Sequence, residues 1–280
     1  MSSFMVAIGA FLRALEAEHR SAETLKWYRG HLWRYAEQLQ GDWEDVEVVR
    51  AFLAGLDMRP ASIRAYHRCL RAFYRRCQAE GWCRVNPMLR IRLPVQPRNS
   101  PKAITAADFT RLLMAAQSDP RMLAVILTLA DTGMRANELC SLRRQDCAIE
   151  TGVLFVRCGK GQQQRYVLVQ PTTAAALARW MACHESPYVF PGRSGPLLPR
   201  SLHQLLTRFA RAHDIEGRVN PHSFRHFFAL SWVRAGGDVF SLADFLGHRD
   251  ISTTRHYLHW SVEDLRAVHN RVSPVRALTK

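Results

Sequence analysis

Six residues in the second half of the chain have the types and the order needed to attack a phosphodiester: Arg135, Lys160, His222, Arg225, His248 and Tyr257. A phenol with a pKa near ~10 is a poor nucleophile at neutral pH. It becomes useful when cations surround it and a phosphate supplies the electrophile. Arginine suits the clamping role, because its planar fork meets two phosphate oxygens at once and never loses its charge. The strongest stretch is Pro221-His222-Ser223-Phe224-Arg225-His226, which sets His222 and Arg225 at i and i+3. Asn220 and Pro221 are good helix-start residues, and a helix N-terminus offers partial positive charge and unpaired N–H groups to an anion. Gly247 ends the helix before His248, so His248 is expected on a tight turn, with Tyr257 on a short helix from about Ser252.

Plainer readings exist for each residue taken singly. Arg135 and Glu138 have the spacing of an ordinary helical ion pair. Lys160 in Gly159-Lys160-Gly161 suits the tip of a hairpin. That turn is not a phosphate-binding P-loop, because Gly152 stands seven residues before Gly159 and no Ser or Thr follows the lysine. His222 and His226 share the i, i+4 spacing of a zinc helix, yet no Glu follows His222 and no third ligand is evident. No metal and no cofactor are therefore expected, and His226 is read as a packing residue.

The elements that must position these groups divide the chain in three. Residues 1–87 read as helical throughout. Ser21 caps a segment with Leu25, Tyr28, Leu32, Tyr35 and Leu39 at helical spacing. From Ala61 to Gly81 a second helix lines one face with Ile63, Tyr66, Leu70, Phe73 and Cys77, while Arg64, Arg68, Arg71, Arg75 and Arg76 occupy the rest. So many arginines with so few acids point to a phosphate-facing surface. Four prolines, counting Pro87 itself, fall from Pro87 to Lys102, among basic residues that include Arg98 and Lys102. Residues 88–103 therefore read as a basic, extended linker. Residues 104–280 form the last part: Thr105 caps a new run of helices to about Leu142. Val153, Phe155 and Val156, then Tyr166, Val167 and Val169, bracket a β-hairpin turn at Cys158 to Gly161. Helices resume from about Thr172 to the end. The fold class is mainly α, with a helical N-terminal domain and an α+β C-terminal domain carrying a small antiparallel sheet.

Composition supports a polyanionic partner. With 39 Lys and Arg against 24 Asp and Glu, the 280-residue chain carries a formal net charge of +15. Nucleic acid is the default partner for such an excess. No run of about 18 apolar residues suggests a membrane span, and Met1-Ser2-Ser3-Phe4 lacks the basic region that opens a secretory signal. The seven cysteines form no CxxC pair and read as reduced thiols of a cytoplasmic protein.

Taken together, the boxes resemble those of the tyrosine recombinases, the phage-type integrases, in their simple Xer-like form. His222-Ser-Phe-Arg225-His226 fits the family's His-x-x-Arg-His, Leu246-Gly247-His248 its Leu-Gly-His, and Tyr257 follows His248 by the usual nine residues. Thr132-Gly133-Met134-Arg135-Ala136-Asn137-Glu138-Leu139 looks like Thr-Gly-x-Arg-x-x-Glu-Leu, and Lys160 matches the position of the family's lysine. The likeness covers about residues 104–275, while residues 1–87 are similar in size and kind to the family's core-DNA-binding domain. The Xer recombinases' frequent His-Pro-Arg near the tyrosine is missing, which speaks against a housekeeping role in chromosome resolution.

The resemblance implies that Tyr257 forms a 3′-phosphotyrosyl link to DNA, that Arg135 and Arg225 clamp the phosphate, and that Lys160 protonates the leaving oxygen. His222 would assist proton movement at the tyrosine, His248 would hydrogen-bond the phosphate, and Glu138 would support Arg135. It further implies double-stranded DNA held in a two-domain clamp and a homotetramer on synapsed sites, with no metal or ATP, and leaves room for a partner recombinase or accessory protein. Arg64, Arg68, Arg71, Arg75, Arg98 and Lys102 would contact the DNA backbone. Two other readings remain open: a DNA-binding regulator that lost the chemistry, and a type IB topoisomerase.

Overall fold

The computed structural model describes residues 3–93, 104–157 and 164–247. The chain forms two compact units, Met1–Asn99 and Ser100–Lys280. In the first, four helices follow one another: α1 (Ser3–Ala17), α2 (Ala22–Gln38), α3 (Val46–Ala54) and α4 (Pro60–Ala79). Side-chain caps start α2 and α3, where Ser21 accepts from the Thr24 N–H and Asp45 from the Glu47 N–H. Proline at the first position starts α4, where a missing N–H costs nothing. Gly81, at φ +70°, takes the chain out of α4 in the left-handed conformation the sequence suggested.

The core of this unit is aromatic. Phe4, Phe11, Trp43 and Phe73 pack edge to face or tilted, with centroids 5.2–6.1 Å apart. Met88, in a short 3₁₀ turn at Pro87–Leu89, is buried in the same core, and the His67 ring contacts the Ile91 carbonyl at 3.1 Å. The packed part of the unit thus runs past residue 88, where proline content placed the start of a linker. Two apolar side chains, Met88 and Ile91, anchor what composition alone marks as extended.

The second unit is built around α6 (Pro120–Thr132), whose Val125, Ile126 and Leu129 are fully buried. Around it lie α5 (Ala106–Ala116), α7 (Ala136–Ser141), α8 (Pro171–Met181), α9 (Pro199–Ala212), α10 (Pro221–Arg234) and α11 (Val239–Leu246). A three-stranded antiparallel sheet of β1 (Cys147–Ala148), β2 (Val153–Val156) and β3 (Arg165–Leu168) stands beside them, in that order. The hairpin register pairs Leu154 with Val167 and Val156 with Arg165, and this face turns inward: Leu154, Val156 and Val167 are buried. Tyr166 and Leu168, on the other face, are exposed. Strand β1 is two residues long, too short for any periodic pattern to reveal it.

One stretch departs from the run of helices expected after Thr172. Between α8 and α9 the chain is irregular, and Pro187, Pro191, Gly192, Gly195 and Pro196 explain why no helix forms there. Bridges pairing Arg143 with Tyr188 and Pro191 with Pro196 hold it, together with the Arg144 guanidinium on the carbonyls of Met181, His184 and Ser186. The helix expected from Ser252 lies outside the described residues.

Helix α6 ends at Gly133 (φ +59°), where a Cβ would lie 2.8 Å from the Phe228 ring and 2.9 Å from a Leu246 methyl. Left-handed strain and overpacking therefore act together at this junction of α6, α10 and α11. Gly133→Ala should cost roughly 2–4 kcal/mol, read as the loss in urea stability of the second unit. Gly81→Ala, where φ is +70° but nothing lies within 4 Å of a Cβ, should cost only about 1 kcal/mol in the first unit. Equal losses at the two glycines would refute the steric part of this account.

Candidate active site

Two helix C-termini meet at the base of the candidate site. The carbonyl of Gly133, capping α6, and that of Leu246, ending α11, have no intrahelical N–H to accept from. Arg225 supplies the donors: Nη1 reaches the Gly133 oxygen at 2.8 Å and Nη2 the Leu246 oxygen at 2.9 Å. This guanidinium is 5% exposed, held at the negative ends of two helix dipoles. Asn220 caps the start of α10 by accepting from the Ser223 N–H at 3.0 Å, so the helix register that aims Arg225 is fixed from its first turn.

Arg135 arrives at the same place from the other side. It precedes α7, and its Nη1 and Nη2 reach the carbonyls of Leu246 and Gly247, each at 3.4 Å. Both arginines therefore share the Leu246 oxygen. Glu138 holds Arg135 twice, by accepting from its backbone N–H at 2.8 Å and from Nη1 at 3.0 Å. The sequence left open whether Arg135 and Glu138 form a simple ion pair or a supported clamp. The geometry includes both, since the arginine side chain keeps 32% exposure while the carboxylate keeps 5%.

A further arginine, not singled out from sequence, completes the group. Arg165 on β3 donates from Nη1 and Nη2 to the two Glu138 oxygens, at 3.0 and 2.8 Å, and from Nε to the Phe245 carbonyl at 2.8 Å. Burial pushes the Glu138 carboxyl up, but the hydrogen bonds and charge of Arg165, with those of Arg135, outweigh it and hold the group below the usual carboxylate range. Two guanidiniums thus share one carboxylate, Arg225 stands beside them on the Leu246 carbonyl, and the cluster as a whole favours an anion.

The open side of this cluster is a cavity of about 260 Å³ lined by Arg135, Arg225, His222, His203 and Asn220. A neighbouring cavity of about 640 Å³ shares His203, Asn220 and His222 and adds Arg211 and Arg218. His222 is exposed at the first turn of α10, while His226, one turn deeper, is buried, as its reading as a packing residue requires. Among the described residues no group of His, Cys, Asp and Glu has the arrangement of a metal site. His203, on α9, was missed because nothing in its local pattern separates it from an exposed helical residue. The signal for Arg165 was available, since strict alternation puts it on the inward face with Val167.

Lys160, His248 and Tyr257 lie outside the described residues, as do Arg98 and Lys102. In the first unit, Arg68, Arg71 and Arg75 are exposed and Arg64 is half-buried, at spacings that set them along one stripe of α4. Arg76 is set apart by ion pairs to Glu18 and Glu80 at 2.7 and 2.8 Å. No helix among the described residues is long and apolar enough to cross a membrane.

Residues 102–264 match the phage integrase family. The tyrosine recombinase XerC of Pseudomonas aeruginosa (strain ATCC 15692) is 32% identical over 287 residues, covering 95% of this chain and 94% of the relative. Among solved structures, XerA recombinase aligns at 26% identity and a TM-score of 0.57, covering 96% of this chain and 98% of that one. A lambda integrase tetramer bound to a Holliday junction aligns with a TM-score of 0.75 at 18% identity, over 92% of this chain and 79% of that one, a likeness of fold. With more than half its length in the family's domain and nearly all of it aligned to a named relative, the chain belongs to the phage integrase family, as a tyrosine recombinase.

Proposed function

We infer that this recombinase cleaves and rejoins duplex DNA at specific sites, with Tyr257 as the nucleophile. The observation that carries the reading is the convergence of Arg135 and Arg225, distant in sequence, on one carbonyl at the floor of the cavity that His222 lines. Guanidiniums fixed in this way before substrate arrives lose little freedom on binding a phosphate, and they stabilise the charge that grows on its non-bridging oxygens. The Tyr257 oxygen attacks phosphorus, a 3′-phosphotyrosyl bond forms, and the DNA 5′ oxygen leaves with a proton from Lys160. His222 assists the proton leaving the phenol, and His248, next in sequence to Gly247, hydrogen-bonds the phosphate. Attack by a second 5′-hydroxyl restores the phosphodiester and frees the tyrosine, so the bond energy is conserved and ATP is not needed. Two arginines and a lysine take the place of a divalent ion.

The protein works on two DNA sites at once. A homotetramer on synapsed DNA fits that task and the lambda integrase likeness, and a second recombinase or an accessory protein is compatible with the Xer-type relatives. The α4 stripe of Arg64, Arg68, Arg71 and Arg75 serves the DNA backbone, joined by Arg98 and Lys102, with residues 1–87 and the packed Met88 and Ile91 as the core-DNA-binding part, the rest of 88–103 as connection and 104–280 as the catalytic part. The site of action is the cytoplasm, on nucleoid DNA.

Covalent trapping tests the reading. Wild-type protein and Tyr257→Phe are incubated with fragmented genomic DNA in EDTA and denatured, and the ends of the protein-bound fragments are sequenced. Adducts should require Tyr257 and accumulate at one short sequence. Strong binding with no adduct from wild-type protein would favour a silent regulator, and plasmid relaxation without exchange between two copies of the site would favour a topoisomerase. For the clamp, Arg225→Lys is preferable to alanine, because alanine would also unpair two buried carbonyls. It should bind the recovered site within about threefold and cleave it roughly a hundredfold more slowly; wild-type cleavage would remove Arg225 from the reaction. Reversing two charges of the stripe, in Arg68→Glu with Arg71→Glu, should flatten the dependence of log K on log salt by about one unit per lost contact. An unchanged slope would take α4 out of the DNA interface.

A further inference from the structure

Arg165 does more than fill space beneath the site. Its side chain is 8% exposed, and it is not among the residues that line the cavity in which a phosphate would sit. Yet its three nitrogens join two elements that carry the site: α7, through both oxygens of Glu138, and the last turn of α11, through the Phe245 carbonyl. Glu138 Oε1 lies 3.0 Å from Nη1 of Arg165 and 3.0 Å from Nη1 of Arg135, so the two guanidiniums share one acceptor. Gly247 closes the arrangement. A Cβ there would lie 3.0 Å from Nη1 and 3.3 Å from Cδ of Arg165, at a backbone φ of +66°. The glycine of Leu246-Gly247-His248 is therefore required by the turn and by the arginine passing beside it.

We propose that Arg165 is a positioning residue for strand cleavage, holding Glu138 and the end of α11 so that Arg135 meets the scissile phosphate in one fixed orientation. The proposal rests on the recombinase reading above. Without Arg165 the Glu138 carboxylate keeps only the bonds from Arg135 among those described for it, and is free to rotate toward that partner. Arg135 then swings with it. A lysine at position 165 keeps the charge but cannot reach two carboxylate oxygens and a carbonyl in three directions.

The effect has a chemical signature that simple destabilisation lacks. Arg135 acts on the non-bridging charge of the phosphate, so a methylphosphonate at the scissile position, which lacks one such charge, depends less on it. A bridging 5′-sulfur leaves without a proton and relieves only a defect in the leaving-group acid. The test compares full-length wild-type and Arg165→Lys protein on the duplex recovered by trapping, carrying the normal, the methylphosphonate or the sulfur linkage. Arg165→Lys should bind within about threefold and cleave the normal linkage roughly a hundredfold more slowly. Its deficit on methylphosphonate should shrink to less than about tenfold, as should that of Arg135→Lys, with no recovery on sulfur. A wild-type rate on the normal linkage, an equal loss on all three, or recovery on sulfur would each overturn the proposal. If Arg165→Lys does not fold, Glu138→Gln with Arg165→Gln removes both charges together and must show the same pattern. Failure of wild-type protein to form a Tyr257-dependent adduct would sink the recombinase reading itself, an outcome separate from any of these.

Discussion

A guanidinium buried between two helix ends is the interaction on which the second unit's chemistry depends. The ends of α6 and α11 each leave carbonyls with no helical partner, and each chain turns away through a left-handed glycine, Gly133 and Gly247. Arg225 satisfies both ends at once. Burying a cation without partners would cost several kcal/mol, so the two carbonyls and the arginine require one another. The same contacts fix where the guanidinium sits. Stability and orientation are here a single property, which is why this arginine is buried while it still lines the cavity.

That arrangement sets an electrostatic problem. Arg135, Arg165 and Arg225 stand near one another with Glu138 as the carboxylate shared by two of them. Like charges in a region of low dielectric repel more strongly than in water, and the carbonyl dipoles offset only part of this. An anion in the cavity relieves the rest. The site thus favours an anion by its charge, and the chain-wide charge of +15 extends the same bias to the approach of a polyanion.

Much of this was legible in the sequence. Helix caps, the aromatic period of α4 and the hairpin alternation are local signals, and Ser21, Thr105 and Asn220 each cap where their types suggested. The pairing of Arg135 with Glu138 was readable from their spacing. What escaped depends on tertiary contacts. Arg165 follows Gln162-Gln163-Gln164, and by composition it belongs to a polar turn. Alternation with Val167 puts it on the inward face, but only the tertiary packing shows that Glu138 is what it meets there. Met88 looked like the start of a linker because its neighbours are prolines and arginines, and only the core it enters says otherwise. His203 reaches the cavity because α9 happens to pass it, which no period within α9 can reveal.

The hairpin of β2 and β3 illustrates how position is secured at a distance. On the β2 side, Arg157 donates from Nε at 2.8 Å to both oxygens of Asp146, a carboxylate only 2% exposed. On the β3 side, Arg165 grips Glu138, which is 5% exposed. Each strand is therefore tied next to the turn by an arginine on a buried acid. Two bidentate ion pairs on buried carboxylates resist movement of the hairpin better than strand pairing four residues long. Because Glu138 also holds Arg135, a displacement of β3 cannot occur without disturbing that arginine. Strand β3 and the Arg135 side chain are thereby mechanically linked through one carboxylate, so the sheet and the start of α7 are referred to a common anchor.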